Sequence, residues 1–199
     1  MSFIDPYIDP DTGILKNMLG AGTANELKTL EPDIVFANEI ELDSINILRT
    51  NDLIELTSIH RQLFKNVYNW AGETRSVDIK KDDDDSEYFL LHGLIGQAST
   101  YVFGELTSEI FLKGLSRKDF AKRLAYYYDQ LNYIHPFREG NGRTQRIFWS
   151  RVAKDAGYEI DWSLIEGDEN DEACKLAAQQ SDRSALESMF DRIIKPRAN

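Results

Sequence analysis

The segment His135-Pro136-Phe137-Arg138-Glu139-Gly140-Asn141-Gly142-Arg143-Thr144-Gln145-Arg146 gathers side chains that can do phosphate chemistry. Gly140-Asn-Gly142 stands just ahead of a helix start. There several backbone N–H groups lack intrahelical partners, and no side chain blocks an approaching anion. Arg143 and Arg146 lie about one turn apart on that helix, so their guanidinium groups are placed to flank the same anion. From His135 to Arg151 there are four arginines (Arg138, Arg143, Arg146, Arg151) against Glu139, a local excess of +3 in a chain whose formal net charge is −11. Local positive charge within an acidic chain suggests a bound polyphosphate, and charge-assisted hydrogen bonds contribute ~1.5–3 kcal/mol each toward holding one. Glu139 beside an anion is explained by a Mg²⁺ ion, which takes one or two carboxylates and completes its shell with phosphate oxygens. His135 can accept a proton from a hydroxyl nucleophile near neutral pH. Phe137 reads as an anchor that buries its ring and holds the loop rigid. Taken singly these signals are weak: Gly-Asn-Gly is more often a turn, His-Pro more often structural, and paired arginines more often a solvated helix face. Their combination within twelve residues carries the argument.

Such a loop needs elements to position it. The most regular helical patterns flank it. Ser116-Arg-Lys-Asp119 has the form of a capping box, followed by the face Phe120, Leu124, Tyr127, Tyr128 and Leu131, which predicts a helix running to about Tyr133 and stopping before His135-Pro136. A second helix begins after Gly142, carries Ile147, Phe148, Val152 and Ala156, and ends at Gly157 as a left-handed cap. Upstream, Leu53, Leu56, Ile59, Leu63 and Val67 form the stripe of a helix that starts near Asp52 and Glu55 and ends near Trp70-Ala-Gly72. Val77 and Ile79 alternate with polar residues before Asp82-Asp-Asp-Asp-Ser86, and apolar residues follow, which reads as a short β-hairpin with a solvated acidic tip. The aspartate run lacks the spacing and glycine of a calcium loop. Residues from about Tyr88 to Leu106 suit a buried helix whose continuity Gly93, Gly96 and Gly104 weaken. From Asp161 two shorter helices follow, the last carrying Leu186, Met189, Phe190, Ile193 and Ile194. The first 20 residues, with Pro6, Pro10, Gly13 and Gly20, read as an irregular arm. We divide the chain into an N-terminal arm, 1–35, and a main domain with C-terminal helices, 36–199.

At 199 residues, 42% hydrophobic and 29% charged, the chain supports one good core. Its acidity disfavours nucleic acid and anionic membranes and favours protein or small-molecule partners. No stretch of about 18 apolar residues occurs and the start has no secretory pattern, so a cytoplasmic protein is expected. The single cysteine, Cys174, can form no internal disulfide and reads as incidental.

The loop matches every fixed position of H-x-F-x-[D/E]-G-N-G-R-x-x-R, the motif of the Fic family of AMP-transferases. The resemblance extends to Asp5-Pro-Tyr-Ile-Asp-Pro-Asp-Thr-Gly13, to Trp70-Ala-Gly-Glu-Thr-Arg75 with Val77-Asp-Ile79, and to Ala156-Gly-Tyr-Glu-Ile-Asp-Trp162. It implies a mainly α fold, a helical bundle with one short β-hairpin, the flap, over the active site. It implies that His135 is the general base for attack of a Ser, Thr or Tyr hydroxyl on the α-phosphate of ATP, with Glu139 holding Mg²⁺. It implies further that Gly140, Asn141 and Gly142 form the anion hole, that Arg143 and Arg146 hold the β- and γ-phosphates, and that Val77, Ile79, Lys80 and Lys81 of the flap dock an extended target segment. The acidic turn at Asp82 to Asp85 departs from the family pattern, and Tyr88-Phe89 fits its aromatic position only loosely. Many members carry an inhibitory [S/T]-x-x-x-E-[G/N] helix, and no glutamate of this chain satisfies that pattern. The resemblance thus implies a toxin controlled by a separate small antitoxin, with bacterial type II topoisomerases as candidate targets and secretion into a host cell left open. Alternative readings are phosphorylation or phosphocholine transfer on the same scaffold, against which the glycine at 142 speaks, and a non-catalytic module that senses nucleotide.

Overall fold

The computed structural model describes residues 5–80 and 89–197. Seven α-helices carry the fold: α1 (Ala24–Glu41), α2 (Leu53–Phe64), α3 (Ile95–Ser108), α4 (Arg117–Ile134), α5 (Asn141–Asp155), α6 (Gly167–Gln180) and α7 (Ser184–Ile193). Strands β1 (Tyr158–Ile160) and β2 (Ile194–Pro196) pair antiparallel, Ile160 opposite Ile194.

Helix α4 is the centre, packed against α3, α5, α6 and α7. Phe120, Leu124, Tyr127, Tyr128 and Leu131 are at most 2% exposed, as their shared helical face requires. Ser116 caps its start by accepting from the Asp119 N–H, but the reciprocal bond differs from a full capping box. The Asp119 carboxylate accepts from the Ser116 hydroxyl at 2.7 Å instead of from its N–H. On α5, Phe148, Trp149, Val152 and Ala153 complete the same core, and Gly157 follows that helix at φ +88°.

Several elements differ from the sequence reading. The helix expected from about Tyr88 begins as α3 only at Ile95, after a short 3-10 turn at His92–Leu94, and strand β1 was not expected. Three further differences have identifiable causes. Helix α2 begins at the Asp52 cap but stops at Phe64, short of Gly72. Beyond it, Asn66, Val67 and Asn69 are poor helix formers, and the Val67 carbonyl is taken by the Met18 N–H of the arm at 2.8 Å. Ile194 leaves α7 for β2, because Pro196 follows closely and an extended pair with Ile160 keeps its side chain buried. Helix α1 was not anticipated, and it runs through the boundary drawn at residue 35. Thr23 and Glu26 form a true capping box at its start, yet the helix contains Pro32 and buries only Leu27, Val35 and Asn38, so it shows no clear apolar stripe.

The turn of the expected hairpin falls at residues 81–88, outside the described residues. Its base is described: the Phe89 N–H donates to the Ile79 carbonyl at 3.1 Å. The arm is tied across the core by Tyr7, whose hydroxyl accepts from the Ser76 N–H at 3.0 Å and whose ring packs edge-on against Trp70.

Leu124→Ala should remove about 2–5 kcal/mol of stability in urea unfolding, because the side chain is fully enclosed and the bundle cannot collapse onto the space it leaves.

Candidate active site

The loop between α4 and α5 is held by its own backbone and by α2 beneath it. The Asn141 side chain accepts from the Phe137 N–H at 2.9 Å and donates to the Phe137 carbonyl at 2.8 Å, so the turn is closed by a two-way amide clasp. Phe137 is 1% exposed and stacks on the His60 ring, centroids 3.9 Å apart at 15°. His60 of α2 is fully buried. Its Nδ1 accepts from the Gly72 N–H at 2.8 Å, which leaves Nε2 to donate to the Glu139 carbonyl at 3.0 Å. Burial pushes its pKa down from 6.5 to about 4, the bond to Glu139 opposing and the Arg143 charge adding to the fall. The imidazole is therefore a neutral prop at working pH.

The two glycines serve different ends. Gly140 sits at φ +81° as the N-cap of α5, and a Cβ there would lie 2.3 Å from the Phe64 ring. Gly142 has neither constraint: its φ is ordinary and an added Cβ would meet nothing within 4 Å. Among the described residues nothing would meet a Cβ at 142, and Gly142 borders a cavity that it shares with His135.

His135 caps α4 in the left-handed region, φ +46° and ψ +62°, ahead of Pro136. Such backbone persists only where its surroundings over-determine it. Its ring Nδ1 lies 3.2 Å from the Asn132 carbonyl, which assigns the proton to Nδ1 and makes Nε2 the basic nitrogen. Phe89 stacks on one face of that ring, centroids 3.7 Å apart at 14°. A cavity of about 320 Å³ opens beside it, within the range of small-molecule sites. Its lining includes Ile79, Lys80 and Phe89 at the flap base, His135, Arg138, Glu139 and Gly142 on the loop, and Gln145, Tyr128, Asn170, Asp171 and Cys174 at the far end.

Not every residue singled out from the sequence meets there. Arg143 bonds to Glu31 of α1 at 2.7 Å, lies over the Phe64 ring and sits 3.5 Å from Glu139. Arg146 lies over Trp162, 5.7 Å from the ring centroid. Neither guanidinium is part of the cavity lining, but each stands beside a residue that is: Arg143 beside Glu139 and Arg146 beside Tyr128. The local +3 excess is also reduced in space, since Arg138 pairs with Asp5 and Arg151 with the buried Glu55. Glu139, its side chain 43% exposed, accepts from the Gly140 N–H at 2.8 Å. Val77 is buried, so it offers a target only its backbone, and Lys81 lies outside the described residues. Among those residues no three potential metal ligands stand together. A divalent ion held by Glu139 would draw its other ligands from phosphate and water, which suits Mg²⁺.

Sequence reasoning missed His60, Arg75 and Phe89. The first had a signal: His60 lies four residues from Leu56 and three from Leu63, on the buried stripe of α2, where a polar ring needs partners. Arg75 and Phe89 were noted only within the resemblance, Arg75 at the end of the Trp70 segment and Phe89 as a loose fit to the aromatic position, with no role of their own assigned.

A mainly helical bundle places a cavity, lined by an imidazole and a carboxylate, beside the N-terminus of α5, a position suited to an anion. The comparisons agree. The Fic/DOC family pattern matches residues 50–153, and the chain belongs to that family. It is 40% identical over 94% of its length to protein adenylyltransferase VbhT of Bartonella schoenbuchensis, of which it spans 36%. It is 34% identical to the Escherichia coli protein named "Probable protein adenylyltransferase Fic", with 96% of this chain and 92% of that one covered. The crystal structure of the VirB-translocated effector BepC of Bartonella tribocorum with bound AMPPNP superposes with a TM-score of 0.89 at 27% identity, over 96% of this chain and 97% of that one.

Two outcomes follow from the geometry. Gly140→Ala should unfold at lower denaturant and lose nucleotide binding, and Phe64→Leu in the same chain should restore part of both, measured by urea melts and calorimetric titration. Because His60 has a lower pKa folded than unfolded, the unfolded state binds more protons between about 4 and 6.5. Stability contributed by the neutral ring is therefore complete above 6.5 and lost as pH falls toward 4, by roughly 3 kcal/mol in all. In His60→Asn that part of the pH slope should vanish.

Proposed function

We propose that this chain is a protein adenylyltransferase, moving AMP from ATP to a Ser, Thr or Tyr hydroxyl of a target protein and releasing pyrophosphate. The observation that carries the reading is the shared cavity: His135, whose Nδ1 is engaged by the Asn132 carbonyl, and Gly142 border the same space. The names of the relatives and the AMPPNP in the BepC structure support it.

In this reading the target hydroxyl approaches the α-phosphorus of ATP along a line beside His135. The imidazole Nε2 takes the hydroxyl proton as the oxygen–phosphorus bond forms, and the bond from the α-phosphorus to the α,β-bridging oxygen breaks. The N–H groups at the start of α5 stabilise the charge that develops on the phosphate oxygens. Glu139 would hold Mg²⁺, which would supply positive charge to offset that of the phosphates. Arg143 exchanges Glu31 for a phosphate, and Arg146 binds beside it. Gly142 is consistent with AMP transfer, because the orientation of the nucleotide depends on close approach at that point.

The partners in this proposal are a target protein, for which bacterial type II topoisomerase subunits are the first candidates, and a separate small antitoxin that supplies the inhibitory helix this chain lacks by sequence. The proposed place of action is the bacterial cytoplasm. The ends of Ile79 and Lys80 that face the cavity would meet an extended target segment at the flap.

Incubation of the chain with α-labelled ATP in bacterial lysate should label discrete proteins by the mass of one AMP residue, and His135→Ala should label none while melting at the same temperature. Equal labelling by the variant removes His135 as the base, and a phosphate or phosphocholine adduct replaces the proposed reaction with another.

A further inference from the structure

Arg75 is 2% exposed, its guanidinium is enclosed, and the reading so far gives it no role. Four of its five side-chain N–H groups donate to backbone carbonyls. Nε donates to the His135 carbonyl at 2.8 Å, Nη1 to the Val77 carbonyl at 2.7 Å, and Nη2 to the carbonyls of Leu90 and, at 3.3 Å, Ile134. The Arg75 N–H donates to the Pro136 carbonyl at 2.8 Å. The charge therefore stands at the C-terminal, negative end of α4, where a cation is favoured. Its nearest carboxylate, Asp78 at 3.8 Å, is also engaged by the backbone and ring of His92 at 2.7 and 2.8 Å.

The choice of carbonyls separates this arginine from ordinary core support. Val77 and Leu90 stand on either side of the flap turn, and His135 is the residue whose left-handed backbone needs an external hold. Phe89, next to Leu90, stacks on the His135 ring. One planar fork thus fixes both ends of the flap and the backbone of the imidazole, and through Phe89 it also fixes the plane of the ring. A lysine ammonium, with three tetrahedral donors on a flexible stem, cannot span the same carbonyls.

We infer that Arg75 is a positioning residue for the transfer reaction, coupling the flap base to the orientation of the His135 imidazole. The inference rests on the reading of His135 as the base. A flap displaced by target binding would pull on the same fork, so the arginine also makes the orientation of the base depend on the flap.

The test uses the full chain with Arg75→Lys and Arg75→Ala. Calorimetric titration with ATP should show affinity within about threefold of the parent, while the rate of label transfer from saturating α-labelled ATP falls at least tenfold, the scale expected when a reacting group is displaced by a fraction of an ångström to an ångström. Millimolar guanidinium should restore part of that rate in Arg75→Ala and none in His135→Ala. ¹⁵N-resolved NMR of the His135 ring should show the Nδ1-protonated form in the parent and a mixture of forms in Arg75→Lys. Unfolding of Arg75→Lys at the assay temperature, or equal loss of ATP affinity and rate, makes Arg75 plain structural support and overturns the inference, as does an unchanged His135 spectrum. Failure of the parent chain to label any protein counts against the adenylyltransferase reading instead, and the ring spectra then still decide the role of Arg75.

Discussion

The Asn141 amide, bonded in both directions to the backbone of Phe137, closes the turn from which the rest of the site is built. An amide is the one short side chain that can donate and accept along parallel lines, and here it spans a single residue's N–H and C=O. With the clasp made, Phe137 points down into the core and the start of α5 points up into the cavity. His60 then supports the turn from below with a ring that is stacked, hydrogen-bonded at both nitrogens and uncharged. Burial lowers its pKa, and a protonated ring would lose its acceptor for the Gly72 N–H as well. The turn is held by the bonds of Asn141 to Phe137 and of His60 to Glu139 and Gly72. Its ligand-facing surface is open because Gly142 has no side chain.

Where sequence and structure agree, the cause is local. The Asp52 and Ser116 caps, the apolar face of α4 and the glycine at 157 act within a few residues of themselves, and those helix starts and stops were legible. Helix α1 was not, because its core contact is slight and Pro32 suggests a break, although Thr23 and Glu26 held a readable capping signal. The end of α2 depended on the arm reaching the Val67 carbonyl, a contact between residues far apart in sequence. In the site itself, residue types and spacing pointed to His135, Glu139 and Gly142, which the structure brings to one cavity. They did not give the directions of Arg143 and Arg146, since partners on α1 and beside β1 decide those. A count of charges along a loop says little about charge in space when Asp5, Glu31 and Glu55 return from distant segments to meet it.

Those acidic partners have a functional consequence. An uncompensated Arg143 would attract any anion, whereas one already paired with Glu31 favours a ligand that can replace a carboxylate and offer more. A polyphosphate with a divalent ion does so, and Glu139, 3.5 Å from Arg143, is placed to move from an arginine partner to a metal ligand. The flap base adds a second condition, because Phe89 and Arg75 connect its position to the imidazole. Nucleotide and target would thus be sensed by different ends of the same loop.

The most direct measurement of the central claim is a crystal structure of the chain with Mg²⁺ and a non-hydrolysable ATP analogue. The account predicts the α-phosphate over Gly142 with the Asn141–Phe137 clasp unchanged, and His135 Nε2 on the side of the phosphorus opposite the leaving pyrophosphate, with room for one hydroxyl between them. A nucleotide bound elsewhere, or an imidazole on the leaving-group side, would contradict it.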